Sequence, residues 1–281
     1  MRRVADQIAG LGYSLICGPE LEFFVCQRDA SGQWQRYANE LGNVYVVGRK
    51  GDPQGLLLHM LRQLRDAGLH VTAANHEFSP GQFEINLGHS DVVDAADRSF
   101  RLKSAVQEIA RQRDLLATFM AKPFNDEGGS GFHVHASLND DSGSDIFGDP
   151  DAADGISATG RHAIAGVLRH ARALSALLNP TINSFKRFGP DTLAPWLIDW
   201  GLDNRSAMVR IPPERGPGAR MGGPARGCDG QSLSGDGGYR GSDRPRHQGQ
   251  GGAAGEAGRV RLRPGPGGGA SRAADRRAGR A

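Results

Sequence analysis

Apolar residues recur along this chain with two different periods, and each change of period marks an element. Val4, Ile8 and Leu11 fall on one face of a helix that opens the sequence. Residues 13–27 then predict a long strand, because Tyr13-Ser14-Leu15-Ile16-Cys17 and Phe23-Phe24-Val25-Cys26 are rich in aromatic and β-branched side chains. Residues 43–47 predict a second, short strand. Helical spacing returns over 54–69, where Leu57, Leu58, Met60, Leu61 and Leu64 share a face. The stretches 70–74 and 82–87 flank Ser79-Pro80-Gly81 and predict a hairpin. A long helix over 91–119 and an alternating strand over 131–138 come next. A helix over 160–178, stopped by Asn179-Pro180, and two short strands within 196–211 complete the pattern. Strands and helices alternate without a regular βαβ period, so an α+β fold is expected rather than a doubly wound sheet.

The pattern fades after residue 221. Of 41 glycines, 18 lie in residues 222–281, together with eleven arginines and no lysine. Leu233, Tyr239, Val260 and Leu262 are the only large apolar side chains there. Such a segment cannot bury enough apolar surface to offset its ordering entropy, so 222–281 is expected to be a disordered Gly/Arg-rich tail. Residues 1–221 are expected to form the folded part, and 281 residues suffice for one large or two small domains.

Charge changes the picture only in the tail. Eleven arginines against five acids give it +6, which leaves −3 on residues 1–221 of a chain that carries +3. The folded part therefore offers no basic face for nucleic acid, and Tyr239 is the tail's only aromatic for base stacking. No run of 18 apolar residues exists, so a membrane span is excluded. No apolar segment of the secretory kind follows Met1-Arg2-Arg3, and three cysteines are too few for a disulfide framework. A reducing, cytoplasmic setting is expected.

Four stretches carry candidate chemistry. Glu20 and Glu22 lie two residues apart on a predicted strand, so both point to one face while Leu21 and Phe23 point to the other. Two carboxylates that close repel by roughly 4 kcal/mol at an effective dielectric of 20 unless a cation sits between them. A solvated strand face is the ordinary explanation for such a pair alone. Glu77 and Glu84 stand on either side of the predicted hairpin turn. Gly128-Gly129-Ser130-Gly131 lets backbone pass close to a ligand and offers N–H groups to an anion. The strand after it then points His133, His135 and Ser137 to one face. Arg187, Arg205 and Arg210 follow near strand ends, and guanidinium is the planar donor suited to carboxylate and phosphate oxygens. Carboxylates with imidazole and arginines suit Mg2+ or Mn2+ and phosphoryl transfer, in a chain with no Walker-type loop.

In their order, Gly18-Pro19-Glu20-Leu21-Glu22-Phe23-Phe24, the Glu77 to Glu84 hairpin, Gly129-Ser130-Gly131-Phe132-His133-Val134-His135 and the stretch 179–212 resemble the glutamine synthetase family. The resemblance covers about residues 1–221. It implies a partial catalytic domain with an antiparallel-rich curved sheet. It also implies ATP-dependent phosphorylation of the γ-carboxylate of glutamate, followed by displacement of phosphate by an amine or ammonia. By motif, Glu22, Glu77 and Glu84 would hold one divalent cation, and Glu20 and His133 the other. Gly129 and Arg187 would hold glutamate. His135, Ser137 and Arg210 would contact ATP, with Arg205 beside the γ-phosphoryl group, and Arg187 and Arg205 carry the catalytic roles. Members of the family are homo-oligomers.

The departures carry their own expectations. Where ammonia-using members have a glutamate before Ala-Pro, this chain reads Asp191-Thr192-Leu193-Ala194-Pro195. Leu193 cannot deprotonate ammonium and better accommodates a carbon-bearing amine, as in γ-glutamylpolyamine and related γ-glutamyl-amine ligases. Ammonia remains the alternative acceptor, and a non-catalytic remnant or a binding protein the alternative class. Gly128 replaces a usual Asn, and Asn75 a frequent His. The resemblance also implies a β-grasp domain ahead of Glu20. Met1 lies only about one helix before that motif, so this domain is expected to be missing.

At the other end, Gly222 follows Ala219-Arg220-Met221 where the family continues with a metal-binding Glu. Synonymous codons for residues 222–240 can be chosen so that a frame one nucleotide later reads Glu-Val-Arg-Leu-Gly-Asp and then Asn-Pro-Tyr, the family's continuation. With 4 lysines against 30 arginines, a GC-rich gene is indicated. A frameshift near Met221 is therefore expected, with loss of the third ligand at position 222 and reduced activity.

Overall fold

A computed structural model describes residues 1–39, 44–45, 48–189, 192, 194–223, 226–227 and 260–261. In chain order the elements are α1 (Arg2–Ala9), β1 (Tyr13–Arg28), β2 (Trp34–Arg36), α2 (Leu56–Asp66), β3 (Val71–His76), β4 (Gln82–Leu87) and β5 (Ser90–Asp91). There follow α3 (Val92–Arg111), β6 (Leu116–Thr118), β7 (Gly131–Asp140), α4 (Ala158–Arg169), α5 (Ala171–Leu178) and α6 (Ile182–Phe185). The last are β8 (Leu197–Ile198), β9 (Trp200–Leu202), β10 (Val209–Ile211), β11 (Met221–Gly222), β12 (Arg226–Gly227) and β13 (Val260–Arg261).

Strand β1 organises the sheet, whose order is β3-β4-β1-β7-β11-β10-β9, with β2, β5 and β6 also paired to β1. All its pairings are antiparallel except β9 with β10. Period two decides what β1 does. Leu15, Cys17, Leu21 and Phe23 are buried on one face, beneath which α2 and α3 contribute Leu56, Met60, Leu64, Leu102 and Val106 to the same core. Phe23 packs against Phe83 and Phe119 with ring centroids 5.9 and 5.3 Å apart. Burying a side chain of that size stabilises by roughly 1.5–3 kcal/mol. The opposite face of the same strand carries Glu20 and Glu22.

The α+β class and the strands around residues 13–28, 71–87 and 131–140 agree with the sequence reading. Other elements differ. The helix expected over 91–119 ends at Arg111, because Asp114 takes a left-handed φ of 57° and Leu115 returns its N–H to Ala110. The chain then reverses, and Ala117 pairs with Val25 on β1 instead of continuing a helix. The helix expected over 160–178 is two helices, broken at His170. Residues 196–211 carry three short strands rather than two.

Of the short strand expected at 43–47, residues 43, 46 and 47 lie outside the described residues, and Val44 and Tyr45 form a turn with Tyr45 at φ 58°. Most of the tail expectation likewise falls outside them. The boundary at 221 is crossed by β11, whose Gly222 pairs with both β7 and β10. Among the described residues no helix is long and apolar enough to cross a membrane.

Candidate active site

Cross-strand pairing turns the separate sequence motifs into one surface. Side chains directly opposite one another on neighbouring strands share a face. Glu22 on β1 is opposite Glu84 on β4, which in turn is opposite Asn75 on β3. One step along the sheet, Asn86 of β4 faces Glu20 of β1, which faces His133 of β7. A further step places Gly18 opposite His135, and His135 opposite Gly222. Three strands, β1, β4 and β7, thus carry their acids and imidazoles into one cleft of about 1100 Å3. Glu77, Gly129, Arg187, Arg205 and Arg210 also line it.

Within the cleft the charges are paired. The His133 ring lies 3.2 Å from Glu22, and the His135 ring 3.4 Å from Glu20. Glu22 also accepts from the Gly131 N–H at 2.8 Å and from the Gln82 amide at 3.0 Å. Burial pushes the Glu20 carboxyl up, but the His135 hydrogen bond and both imidazole charges outweigh it and leave Glu20 at about 2. Glu22 is held low in the same way by His133, Gly131 and Arg187. The other two acids go the opposite way. Burial and then the Glu20 and Glu22 charges push Glu84 up to about 8, and burial with Glu22 raises Glu77 to about 7. Burial lowers His133, yet Glu22, Glu20 and Glu84 together bring it up to about 9.

This donor set fits a hard divalent cation in kind: carboxylates and one or two imidazoles on one face, with two acids that a cation would relieve. As the side chains stand, no three carboxylates, imidazoles or thiols among the described residues form a metal-holding group.

Two glycines let the backbone close in around Arg187. A Cβ on Gly129 would stand 2.6 Å from the Ala121 carbonyl oxygen and 2.7 Å from Arg187 Cγ. One on Gly131 would meet the His133 ring at 2.8 Å and Glu22 at 3.0 Å. Arg187 itself is buried. Around it, Asn183 accepts from the Lys122 N–H and donates to the Lys122 carbonyl, at 2.7 and 2.9 Å. Ser79 of the hairpin accepts from the Gly128 N–H, so the turn and the glycine loop are tied together.

Arg205 is exposed at the cleft and donates to the Tyr45 hydroxyl at 2.8 Å. Arg210 donates to Asp203 at 2.5 and 3.2 Å. Ser137 shares the β7 face with His133 and His135 but hydrogen-bonds to Asp145 and is not part of the cleft lining. Asp191 and Leu193 lie outside the described residues, whereas Thr192, Ala194, Pro195 and Trp196 line the cleft. Sequence reasoning missed Gln82, which is buried and bridges Glu22 to the Gly129 carbonyl, and Asn86 beside Glu20. Their signal was present: positions 82, 84 and 86 are one period-two row.

Comparison with known proteins agrees with this geometry. A family model described as "Glutamine synthetase, catalytic domain" matches residues 1–231. A glutamine synthetase of Halobacterium salinarum is 36% identical over 221 residues, which is 79% of this chain and 49% of that protein. One of Thermus thermophilus is 38% identical over 221 residues, 78% of this chain and 49% of that protein. The chain thus spans about half the length of the curated relatives it matches. A solved structure titled "GmaS/ADP complex-Conformation 1" superposes with a TM-score of 0.76 at 30% identity, covering 85% of this chain and 56% of that one. A Plasmodium falciparum glutamine synthetase, TM-score 0.77 at 21% identity, covers 85% and 53% and shares the fold.

Proposed function

Because the chain belongs to the glutamine synthetase family, we propose that it carries the catalytic half of an ATP-dependent ligase joining the γ-carboxyl group of glutamate to an amine through a γ-glutamyl phosphate. The observation that carries this reading is the pairing of Glu20 with His133 and of Glu22 with Glu84 on one sheet face. Acids so crowded are tolerable when divalent ions bind among them.

Glu22, Glu77 and Glu84 would hold one Mg2+ or Mn2+, and Glu20 with His133 the other. Bound there, the cations supply neutralising charge for phosphoryl oxygens. Arg187, buried beside Gly129, presents a rigid fork of donors for the glutamate carboxylate. Arg205 at the cleft mouth would neutralise charge on the transferring group, and it must leave Tyr45 to do so. His135 and Arg210 would face the nucleotide, and Ser137 would join them only on leaving Asp145. The likeness to a GmaS structure titled as an ADP complex supports nucleotide use in this reading.

The acceptor in this reading is an organic amine, since Leu193 offers no base for ammonium and Ala194, Pro195 and Trp196 add an apolar side to the cleft. The curated relatives are named glutamine synthetases, and that favours ammonia as the second reading. With Gly222 in place of a carboxylate, turnover is expected below that of relatives that carry one there. A cytoplasmic setting is expected.

Binding therefore tests the reading first. ADP with Mg2+ should raise the melting temperature of the full chain and leave a Glu20→Gln, Glu84→Gln double variant unmoved; equal shifts in both would overturn the assignment. Phosphate release with ATP, glutamate and a panel of ammonium, methylamine and putrescine then separates the acceptors. Ammonium outrunning every amine would hand the site to the second reading.

A further inference from the structure

We propose that Asn86 is a further member of the cation site, its Oδ1 accepting a hydrogen bond from a water carried by the cation at Glu20 and His133. The inference rests on the cation reading above and extends it to a residue outside the acid and imidazole set. Asn86, Glu20 and His133 are consecutive neighbours across β4, β1 and β7, so the amide stands in the same row as the two donors. The Asn86 side chain hydrogen-bonds Glu20. An ionised carboxylate can only accept, so the amide nitrogen is the donor in that bond and the amide oxygen is left for another partner.

That oxygen is shielded from solvent and has no hydrogen-bond partner among the described residues, although Asn86 lines the cleft. A buried amide oxygen left unpaired in a native structure calls for an explanation. Glu20, directly opposite it, is an acceptor and offers it nothing when ionised. Magnesium and manganese keep several of their waters, and those waters are strong donors. A neutral oxygen also suits this position for an electrostatic reason. It adds a partner for the cation's waters without adding a charge to a sheet face that already holds Glu20, Glu22 and Glu84.

Mn2+ titration of the full 281-residue chain near neutral pH, with free Mn2+ read by electron paramagnetic resonance, tests this. Asn86→Leu removes the acceptor and should weaken Mn2+ binding by about tenfold, the range of outer-shell partners. Asn86→Asp keeps an acceptor oxygen and loses the donor to Glu20. It should bind Mn2+ at least as tightly as the wild type if the oxygen is what matters. Weakening in Asn86→Asp comparable to Asn86→Leu would overturn the proposal, because it would assign the residue to holding Glu20 alone. Unchanged affinity in Asn86→Leu would overturn it too. Melting in EDTA reports folding, and if Asn86→Leu does not fold, Asn86→Asp decides alone. Wild-type chain that binds no Mn2+ defeats the cation reading along with this one, whereas binding lost in Glu84→Gln but indifferent to Asn86 defeats this one only.

Discussion

Glu22 and Glu84 stand directly opposite each other on adjacent antiparallel strands, and they divide the cost of their proximity unequally. Glu22 is held low by His133, the Gly131 N–H and Arg187, despite its burial. Glu84 has no such donors among the described residues and is pushed up to about 8 by burial and by the Glu20 and Glu22 charges. The pair is poised to take a divalent ion. Replacing Glu84 with Gln should therefore raise the melting temperature of the metal-free chain by a few degrees, about 2–4 °C per kcal/mol for a chain of this size. The same variant should lose most of the stabilisation that wild type gains from millimolar Mg2+. Paired thermal melts with and without Mg2+ check both halves.

The pH dependence of the metal-free chain follows from the same groups. Glu77 and Glu84 have folded values of about 7 and 8, above the ordinary 4.5, so the folded state holds their protons longer and stability falls as pH rises between 4.5 and 8. His133 is raised from 6.5 to about 9; its contribution is complete below 6.5 and is lost as pH rises through 9. Glu20, lowered to about 2, contributes above 4.5 and loses that contribution as pH falls towards 2. Chelated protein should thus melt highest near pH 5 and lose several degrees by pH 8.5. Saturating Mg2+ should flatten the alkaline side. A melting temperature that climbs from pH 5 to 8 in EDTA contradicts the charge pattern.

Gly129→Ala tests the close approach of the glycine loop. Its new Cβ would lie 2.6 Å from a backbone oxygen, which cannot swing away as a side chain can. Overpacking of this kind costs about 1–3 kcal/mol. Urea denaturation should show a loss in that range, and glutamate binding should weaken with the displacement of Arg187. Full wild-type stability would mean that the loop is free to back off from Ala121.

Gly222→Glu places a carboxylate where strand β11 meets His135. The added Cβ would lie 3.3 Å from the His135 ring and 3.4 Å from the Arg210 carbonyl, so the ring must yield by a few tenths of an ångström. Mn2+ affinity should rise, since affinity at oxygen sites follows the number of charged ligands. Isothermal titration against wild type measures the gain, and a decrease would place position 222 outside the cation site.

The nucleotide sequence bears on the residues after Met221. The family match ends at residue 231, well short of Ala281. The expected gene keeps the frame one nucleotide later open through an Asn-Pro-Tyr stretch in family register. A stop codon before that stretch ends the frameshift account.

Much of the site was legible because strands announce their faces. Glu20 with Glu22, and His133 with His135, follow from alternation alone, and the hairpin places Glu84 on β4. What alternation cannot give is the partner across the gap. Ser137 obeys the same period as His133 but turns to Asp145, a loop residue whose position no spacing encodes. Gln82 and Asn86 looked like ordinary polar positions until pairing set them beside Glu22 and Glu20. The early end of α3 was hidden because apolar residues continue at Leu115 and Phe119, and only the left-handed backbone at Asp114 breaks the run. Tyr45 reaches Arg205 from 160 positions away, and the stretch around it had been expected to be a strand.

The two-faced character of β1 has an evolutionary consequence. A shift of one position along β4 would drive Phe83 and Ile85 into water and thrust Glu84 into oil, and one along β7 would exchange Phe132 and Val134 with His133, so such a slip is forbidden on folding grounds alone. The spacing of the acids therefore needs no selection for turnover to be maintained. A descendant that had ceased to turn over substrate would keep these positions turned to one cleft for as long as it kept its interior.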